Sequence, residues 1–197
     1  RLLDAAGWAR GADGLRRRAG QPLALTLLAP AADPATPALV ERLRGQFAAV
    51  GAALTAREAP AAALLAADGP ARAGRFDLLL TDLRHGPDPL PALRAHVGCY
   101  APTPIASVAP GPANYGHWCD PATAARLDAA TGAATTAGRA AAVRAVLDLI
   151  AAEAALLPLL TRSHLLVRRD PLRGVAPARW APPTWNAGAW WRAPARG

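Results

Sequence analysis

The chain has 197 residues, of which 52% are hydrophobic and 18% charged, and its formal net charge is +8. This hydrophobic share excludes a disordered chain and predicts a substantial core, built mainly from Leu, Val and Ala because only 5% of the residues are aromatic. The 22 basic residues are all arginine and are scattered, with the densest cluster at residues 16–18, so we interpret them as a solvated surface and expect no nucleic-acid partner.

No apolar stretch reaches the roughly 18 to 20 residues that a membrane span needs. The longest candidate, residues 137–160, is interrupted by four charged side chains and Pro158. The opening residues, "RLLDAAGW", are typical of the last turns of a helix that ends near Gly7. We therefore expect the chain to begin within a domain.

Residues 21–82 predict a strand, a helix, a strand, a helix and a strand in alternation. The five segments are, in order, 21–30, 34–52, 52–58, 60–69 and 75–82. Gly51 is the expected stop of the first helix. This alternation predicts a parallel or mixed sheet with crossover helices, in which ligands bind outside the carboxyl ends of the strands.

The second half of the chain predicts mainly helices. A short helix at 88–97 is followed by an irregular loop at 98–116, and Asp120 is the expected N-cap of the next helix, with Pro121 at its first position. The longest helix begins near residue 137 and stops before Pro158, and residues 156–169 contain two short strand-like pieces.

The tail from Gly174 is rich in proline and tryptophan. Its tryptophans, Trp180, Trp185, Trp190 and Trp191, could form an aromatic platform for a ligand or a strip that packs on another part of a larger protein. The proline content favours packing.

Cys99 and Cys119 lie 20 residues apart across a loop rich in Pro and Gly. Three states are open: a disulfide that closes the loop, two free thiols, or a metal site that includes His96 and His117. The spacing suits the disulfide, and the chain has no Cys-x-x-Cys motif, so we expect no metal.

The stretch "FDLLLTDLRHGPDP", residues 76–89, places polar and titratable side chains where a buried strand ends. This arrangement is typical of a ligand site. The chain has no nucleophile elbow, P-loop, dinucleotide fingerprint or zinc-protease motif. We therefore expect a binding protein without a cofactor, and not an enzyme.

Five segments together resemble family 5 of the extracellular solute-binding proteins, the peptide- and nickel-binding components of ABC importers. These segments are "LLDAAGWARGADGLRRRAGQPLALTLL", "VERLRGQFAAVGAALTARE", "GRFDLLLTD" with the Asp-Pro that follows it, "NYGHWCDPATAARLDAA" and "LLPLLTRSHLLVRRDPLRGVAP". Each motif is weak alone, but their order and spacing cover nearly the whole chain.

The resemblance implies an α/β fold, the distal lobe of a periplasmic-binding-protein-like (type II, cluster C) two-lobed protein, with a mixed sheet and flanking helices. Residues 1–160 would form this lobe, truncated at its N-terminus, and residues 161–197 would return to pack on the first lobe. The expected function is capture of peptides or peptide-like solutes and delivery to the permease subunits of an ABC transporter.

The implied location is the periplasm or the extracellular face of the cell membrane, with membrane contact only through the permease or an N-terminal lipid anchor outside this chain. Two alternatives remain: the ligand-sensing domain of a regulator with the same fold, and a binder of a nickel chelate or another non-peptide solute. A helix-turn-helix in the full gene would favour the regulator.

The resemblance also implies the ligand contacts, which are Asp82, Leu83, Arg84 and His85 in the loop after the third strand. Peptide-binding members carry an acidic residue in this loop that pairs with the α-amino group of the ligand, and its position falls here on His85. Either Asp82 takes over that role, or an anionic group or a metal chelate binds Arg84 and His85; a third reading is that His85 merely caps the loop.

Some relatives carry cysteines in the segments that match Cys99 and Cys119, and an exported protein meets an oxidising compartment. The resemblance therefore implies the disulfide. Tyr115, His117 and Trp118 would lie near it as packing residues.

Overall fold

A computed structural model describes residues 1–99, 113–161, 165–178 and 180–194. The helices are α1 (Leu2–Ala5), α2 (Thr36–Ala49), α3 (Ala61–Leu64), α4 (Leu90–Val97), α5 (Pro121–Gly132) and α6 (Thr136–Ala152). The strands are β1 (Ala9–Arg10), β2 (Arg16–Arg18), β3 (Gln21–Pro22), β4 (Ala24–Pro30), β5 (Ala53–Ala59), β6 (Leu78–Leu79), β7 (Leu172–Arg173) and β8 (Trp191–Arg192). Most of the irregular loop predicted at 98–116 lies outside the described residues.

The central sheet is parallel, with the order β5-β4-β6, as the alternation of strands and helices predicts. β4 pairs with β5 along its full length, from Ala24 opposite Ala53 to Pro30 opposite Ala59. All three strands run in one direction, so their carboxyl ends meet at the same edge of the sheet.

The third strand is shorter than the predicted 75–82, because only Leu78 and Leu79 pair with β4. At its start, the Asp77 carboxylate accepts the Thr26 N–H at 2.7 Å. This N–H of β4 is therefore bonded to a side chain and not to a backbone carbonyl of the neighbouring strand. At its end, Leu80 donates to the Leu28 carbonyl at 2.8 Å, and the chain then leaves the sheet.

Both faces of the sheet are covered, which explains the continuous apolar run in β4. Leu27 and Ala29 pack with Val40 of α2 on one face. Leu28, on the opposite face, packs with Leu64 of α3 and with Ala71.

A second core lies among the three later helices, α4, α5 and α6. Its buried members are Leu90, Leu93, Val97, Leu127, Ala130, Val146 and Ile150. Asp120 caps α5 as predicted, because its carboxylate accepts the Thr123 N–H at 2.6 Å.

The longest helix ends six residues before Pro158, at Ala152, because a left-handed residue closes it. Ala154 has φ 52°, and its N–H donates to the Ala151 carbonyl while the Ala155 N–H donates to the Ile150 carbonyl. This is the hydrogen-bond pattern of a Schellman motif. The sequence carries no sign of it, since glycine is the usual residue at that position.

Thr135 caps the N-terminus of α6. Its hydroxyl accepts the Gly138 N–H at 3.1 Å, so Thr135→Ala is expected to lower the free energy of unfolding by about 1 kcal/mol. Urea denaturation followed by circular dichroism measures the change. Thr135→Ser keeps the acceptor and serves as the control; a loss in Thr135→Ser equal to that in Thr135→Ala would contradict the capping role.

The N-terminal strands β1, β2 and β3 form a small antiparallel sheet that Arg16 ties to the end of α2. The Arg16 guanidinium donates to the Asp4 carboxylate at 2.5 Å and to the Val50 carbonyl at 2.9 Å, and the first of these bonds lowers the pKa of Asp4 to about 2. The interpretation of residues 16–18 as a purely solvated cluster is therefore wrong for Arg16, whose side chain is only 12% exposed.

Gly51 ends α2, as predicted, and makes room for this arginine. Its φ is +86°, and a Cβ atom there would stand 2.8 Å from the Arg16 side chain and 2.9 Å from the Gly14 carbonyl oxygen. Only glycine fits both the conformation and the space.

The two strands predicted within 156–169 do not form in the part of that segment that the structure describes. Residues 157–161 and 165–169 are exposed and pair with no strand in the described chain, so their backbone has no ladder to join. The tail instead pairs β7 with β8, Leu172 opposite Arg192. No helix in the described chain is long and apolar enough to cross a membrane.

Candidate ligand site at the carboxyl edge of the sheet

A pocket of about 540 Å³ lies at the carboxyl ends of β4 and β6. Its walls come from the β4–α2 loop, from α3 and from the chain that follows β6. The lining residues are Pro30, Ala32, Asp33, Pro34, Ala61, Leu64, Leu65, Leu79, Leu80, Thr81, Asp82 and Arg84. We call this feature the edge pocket; apolar walls with a few polar groups are typical of small-molecule sites.

Two of the four predicted contacts, Asp82 and Arg84, line the edge pocket and form an ion pair. The Arg84 guanidinium lies 3.6 Å from the Asp82 carboxylate, and the two side chains are 89% and 44% exposed. An exposed pair of this kind contributes about 0–1 kcal/mol. The ion pair itself therefore contributes little to the stability of the fold.

The other two predicted contacts, Leu83 and His85, are not among the lining residues of the edge pocket. Leu83 is 40% exposed. The His85 ring lies against the ring of Trp180, with the centroids 5.1 Å apart and the planes tilted by 50°. Its Nδ1 is 2.8 Å from the Gly86 carbonyl oxygen, so a proton on Nδ1 is donated to that carbonyl.

The structure adds Asp33, Leu64 and Leu65, which sequence reasoning missed. Asp33 is half-buried, and its carboxylate accepts the Ala35 N–H at 2.9 Å in the turn before α2. The signal that could have found it is the topology: Asp33 follows β4 as Asp82 follows β6, and the ends of parallel strands meet.

Asp88, which precedes α4, fixes the far end of the same loop. Its carboxylate accepts the Leu90 N–H at 3.1 Å and pairs with Arg139 of α6 at 2.6 Å. The Leu90 hydrogen bond first, and then the Arg139 guanidinium, lower the pKa of this carboxyl. The loop therefore leaves the sheet at Leu80 and is held again at Asp88.

Cys99 and Cys119 form a disulfide, with their Cα atoms 4.8 Å apart, as the resemblance implies. Asn114 adds to this junction, because its side-chain amide donates to the Gly98 and Trp118 carbonyls at 3.1 and 2.8 Å. The junction joins the end of α4 to the start of α5.

The aromatic side chains near the disulfide pack as predicted, except for His117, which is exposed. Trp118 packs against the core of the three later helices, and Tyr115 packs against the cluster around Leu28. Arg72 lies over the Tyr115 ring, 5.4 Å from its centroid. Among the described residues, no three His, Cys, Asp or Glu side chains are grouped so that they could hold a metal ion.

Neither a family model nor a curated protein matches the sequence, but solved structures match the fold. NikZ from Campylobacter jejuni, in complex with Ni(L-His), has a TM-score of 0.69 and 17% identity over 96% of this chain and 37% of its own. The oligopeptide-binding protein AppA from Bacillus subtilis, in complex with a nonapeptide, has a TM-score of 0.64 and 15% identity over 98% of this chain and 36% of its own.

NikA from Brucella suis, in complex with Fe(III)-EDTA, has a TM-score of 0.61 and 24% identity over 79% of this chain and 30% of its own. All three are family 5 solute-binding proteins. The chain has the fold of these proteins. It spans about a third of their length, and the α/β architecture that the sequence predicts is confirmed.

Proposed function

We propose that the chain is the distal lobe of the solute-binding component of an ABC importer. It would capture a peptide or peptide-like solute between two lobes, at the periplasmic or extracellular face of the membrane, and deliver it to a permease without changing it. The fold supports this proposal, because its solved neighbours include proteins in complex with a nonapeptide and with metal chelates.

The observation that carries the proposal is the charge pair on the rim of the edge pocket. The Asp82 carboxylate can pair with the ammonium at the amino end of a peptide, and the Arg84 guanidinium beside it can pair with a carboxylate of the same solute. The leucines of the pocket offer an apolar surface to its side chains. Asp82 then takes the part of the missing acid at position 85.

The large exposed aliphatic side chains after α6 lie on either side of residue 161, where the return segment is expected to begin. In the described chain they are Leu157, Leu159, Leu160, Leu165, Leu166 and Val167. A row of exposed leucines is costly in water and typical of a surface that another domain covers. We propose that the first lobe covers it.

Asp82→Asn tests the proposed anchor, because it removes the charge and keeps the shape. The dissociation constant of the solute is expected to rise about 10- to 100-fold, the usual effect of losing a charged hydrogen bond, so less solute should co-purify with the protein, as measured by mass spectrometry after denaturation. Asp128→Asn, at an exposed aspartate that pairs with Arg94 at 2.7 Å, is the matched control and should keep the solute.

Full retention of the solute in Asp82→Asn would contradict the anchor. The chemistry of the co-purified solute shows which class of solute the protein carries. Peptides with free amino termini, recovered intact, would support a peptide carrier. A product formed from an added peptide would contradict transport without chemistry.

A metal chelate is the second candidate solute. Two of the three compared structures hold one, and the exposed Arg84 guanidinium suits the carboxylates of an anionic chelate. Metal analysis of the purified protein distinguishes the two, since a chelate brings a metal ion together with its organic ligand and a metal-free peptide brings none.

A further inference from the structure

The loop between β6 and α4 carries the charge pair of the edge pocket but has little backbone support. Every residue from 81 to 88 is exposed, and no backbone–backbone hydrogen bond between described residues involves residues 83–87. The position of this loop therefore depends on side-chain contacts.

One such contact comes from the tail. Trp180, between β7 and β8, places its ring 5.1 Å from the ring of His85. On the other side, His85 is bonded to its own loop through Nδ1 and the Gly86 carbonyl. The His85 ring thus connects the tail to the residue next to Arg84.

The tail is itself held in shape, so it can serve as a support. β7 and β8 are paired, and the Asn186 amide donates to the Gly174 carbonyl at 2.7 Å. Gly174 has φ +79°, and a Cβ atom there would stand 2.1 Å from the Ala189 carbonyl oxygen, so the two halves of the tail touch at this point. These contacts close the ends of the segment 174–186, which carries Trp180.

We propose that Trp180 is a positioning residue for the ligand loop: its ring packs on His85 and holds Asp82 and Arg84 at the edge pocket. The inference rests on the proposed function only for what the pocket binds. In this arrangement the His85 ring lies between the ligand loop and the tail, and the tail is part of the site.

Trypsin cleavage after Arg84 in the native protein tests the contact without any ligand. Cleavage of a native loop follows the population of its open state, and an aromatic pair shifts that population by about two- to tenfold. Trp180→Ala is therefore expected to speed cleavage between Arg84 and His85 about two- to tenfold, as read from the fragments by mass spectrometry. The sequence around the cleaved bond is unchanged in this variant.

Two further variants separate the ring contact from a general effect. Trp180→Phe keeps a ring and should stay close to the parent rate, and Trp191→Ala, at a tryptophan of the same tail that is 55% exposed, should match the parent. Parent-like cleavage in Trp180→Ala, or equal acceleration in Trp191→Ala, would overturn the proposal.

The co-purifying solute gives the second readout. Trp180→Ala should retain less of it per mole of protein than Trp191→Ala, and faster cleavage with undiminished solute would overturn the role in binding. If no variant, including the parent, carries any solute, the proposed function fails while the cleavage result stands on its own.

Discussion

Replacing Cys99 and Cys119 together by serine is expected to lower the free energy of unfolding by about 3 kcal/mol. The bond closes a loop with a sequence separation of 20. In the chain-entropy model, the lower conformational entropy of the cross-linked unfolded chain accounts for this difference in free energy. The disulfide also joins α4 to α5, whose buried faces meet in the second core. Its loss should therefore weaken the packing of these two helices. Urea denaturation at equilibrium measures the change.

Reduction of the parent protein provides an internal comparison. Cys119 is exposed, so a reductant can reach the bond, and reduced parent should unfold at the midpoint of the double serine variant. The double variant with reductant should show no further loss. Equal midpoints for oxidised parent and double variant would contradict the stabilising role.

Leu28→Ala is expected to cost about 2 to 5 kcal/mol of unfolding free energy, the usual range for a buried leucine in a packed core. Leu28 is fully buried in the middle strand, where it packs with Leu64 and Ala71. The sheet holds it in place on both sides, opposite Arg57 and Leu79, so the cavity cannot collapse easily. The edge pocket shares this wall through Leu64 and Leu79, so bound solute should decrease as well.

Leu2→Ala removes the same atoms from a side chain that is 89% exposed, and it should change the free energy of unfolding by less than about 0.5 kcal/mol. Comparing the two losses of unfolding free energy separates the effect of burial from the effect of residue type. A loss below 1 kcal/mol in Leu28→Ala would mean that this face of the sheet is not the core described above.

The fold was largely predictable because its signals are local. Apolar runs, Gly51 and the Asp120-Pro121 cap mark strands and helices by short-range chemistry, and the alternation then dictates a parallel sheet. The sequence prediction was wrong where a distant partner decides the structure. β6 is short because the Asp77 carboxylate accepts a hydrogen bond from the Thr26 N–H, and residues 157–161 and 165–169, although strand-like in sequence, pair with no strand among the described residues.

The site was predictable only in part for the same reason. Asp82 and Arg84 stand directly after a strand, which is a local signal of a pocket edge. Asp33 and Leu64 belong to other segments, and their approach follows from strand order and helix packing. The contact of His85 with Trp180 joins segments far apart in the chain, and no spacing rule indicates it.

The proposed solute site lies at the carboxyl edge of the sheet, against Asp82. A crystal structure of the protein with its co-purified solute tests this most directly. We expect density in the edge pocket, with a cationic group of the solute within hydrogen-bond distance of the Asp82 carboxylate. Solute bound instead between Asp88 and α6, with the edge pocket filled by water alone, would contradict it.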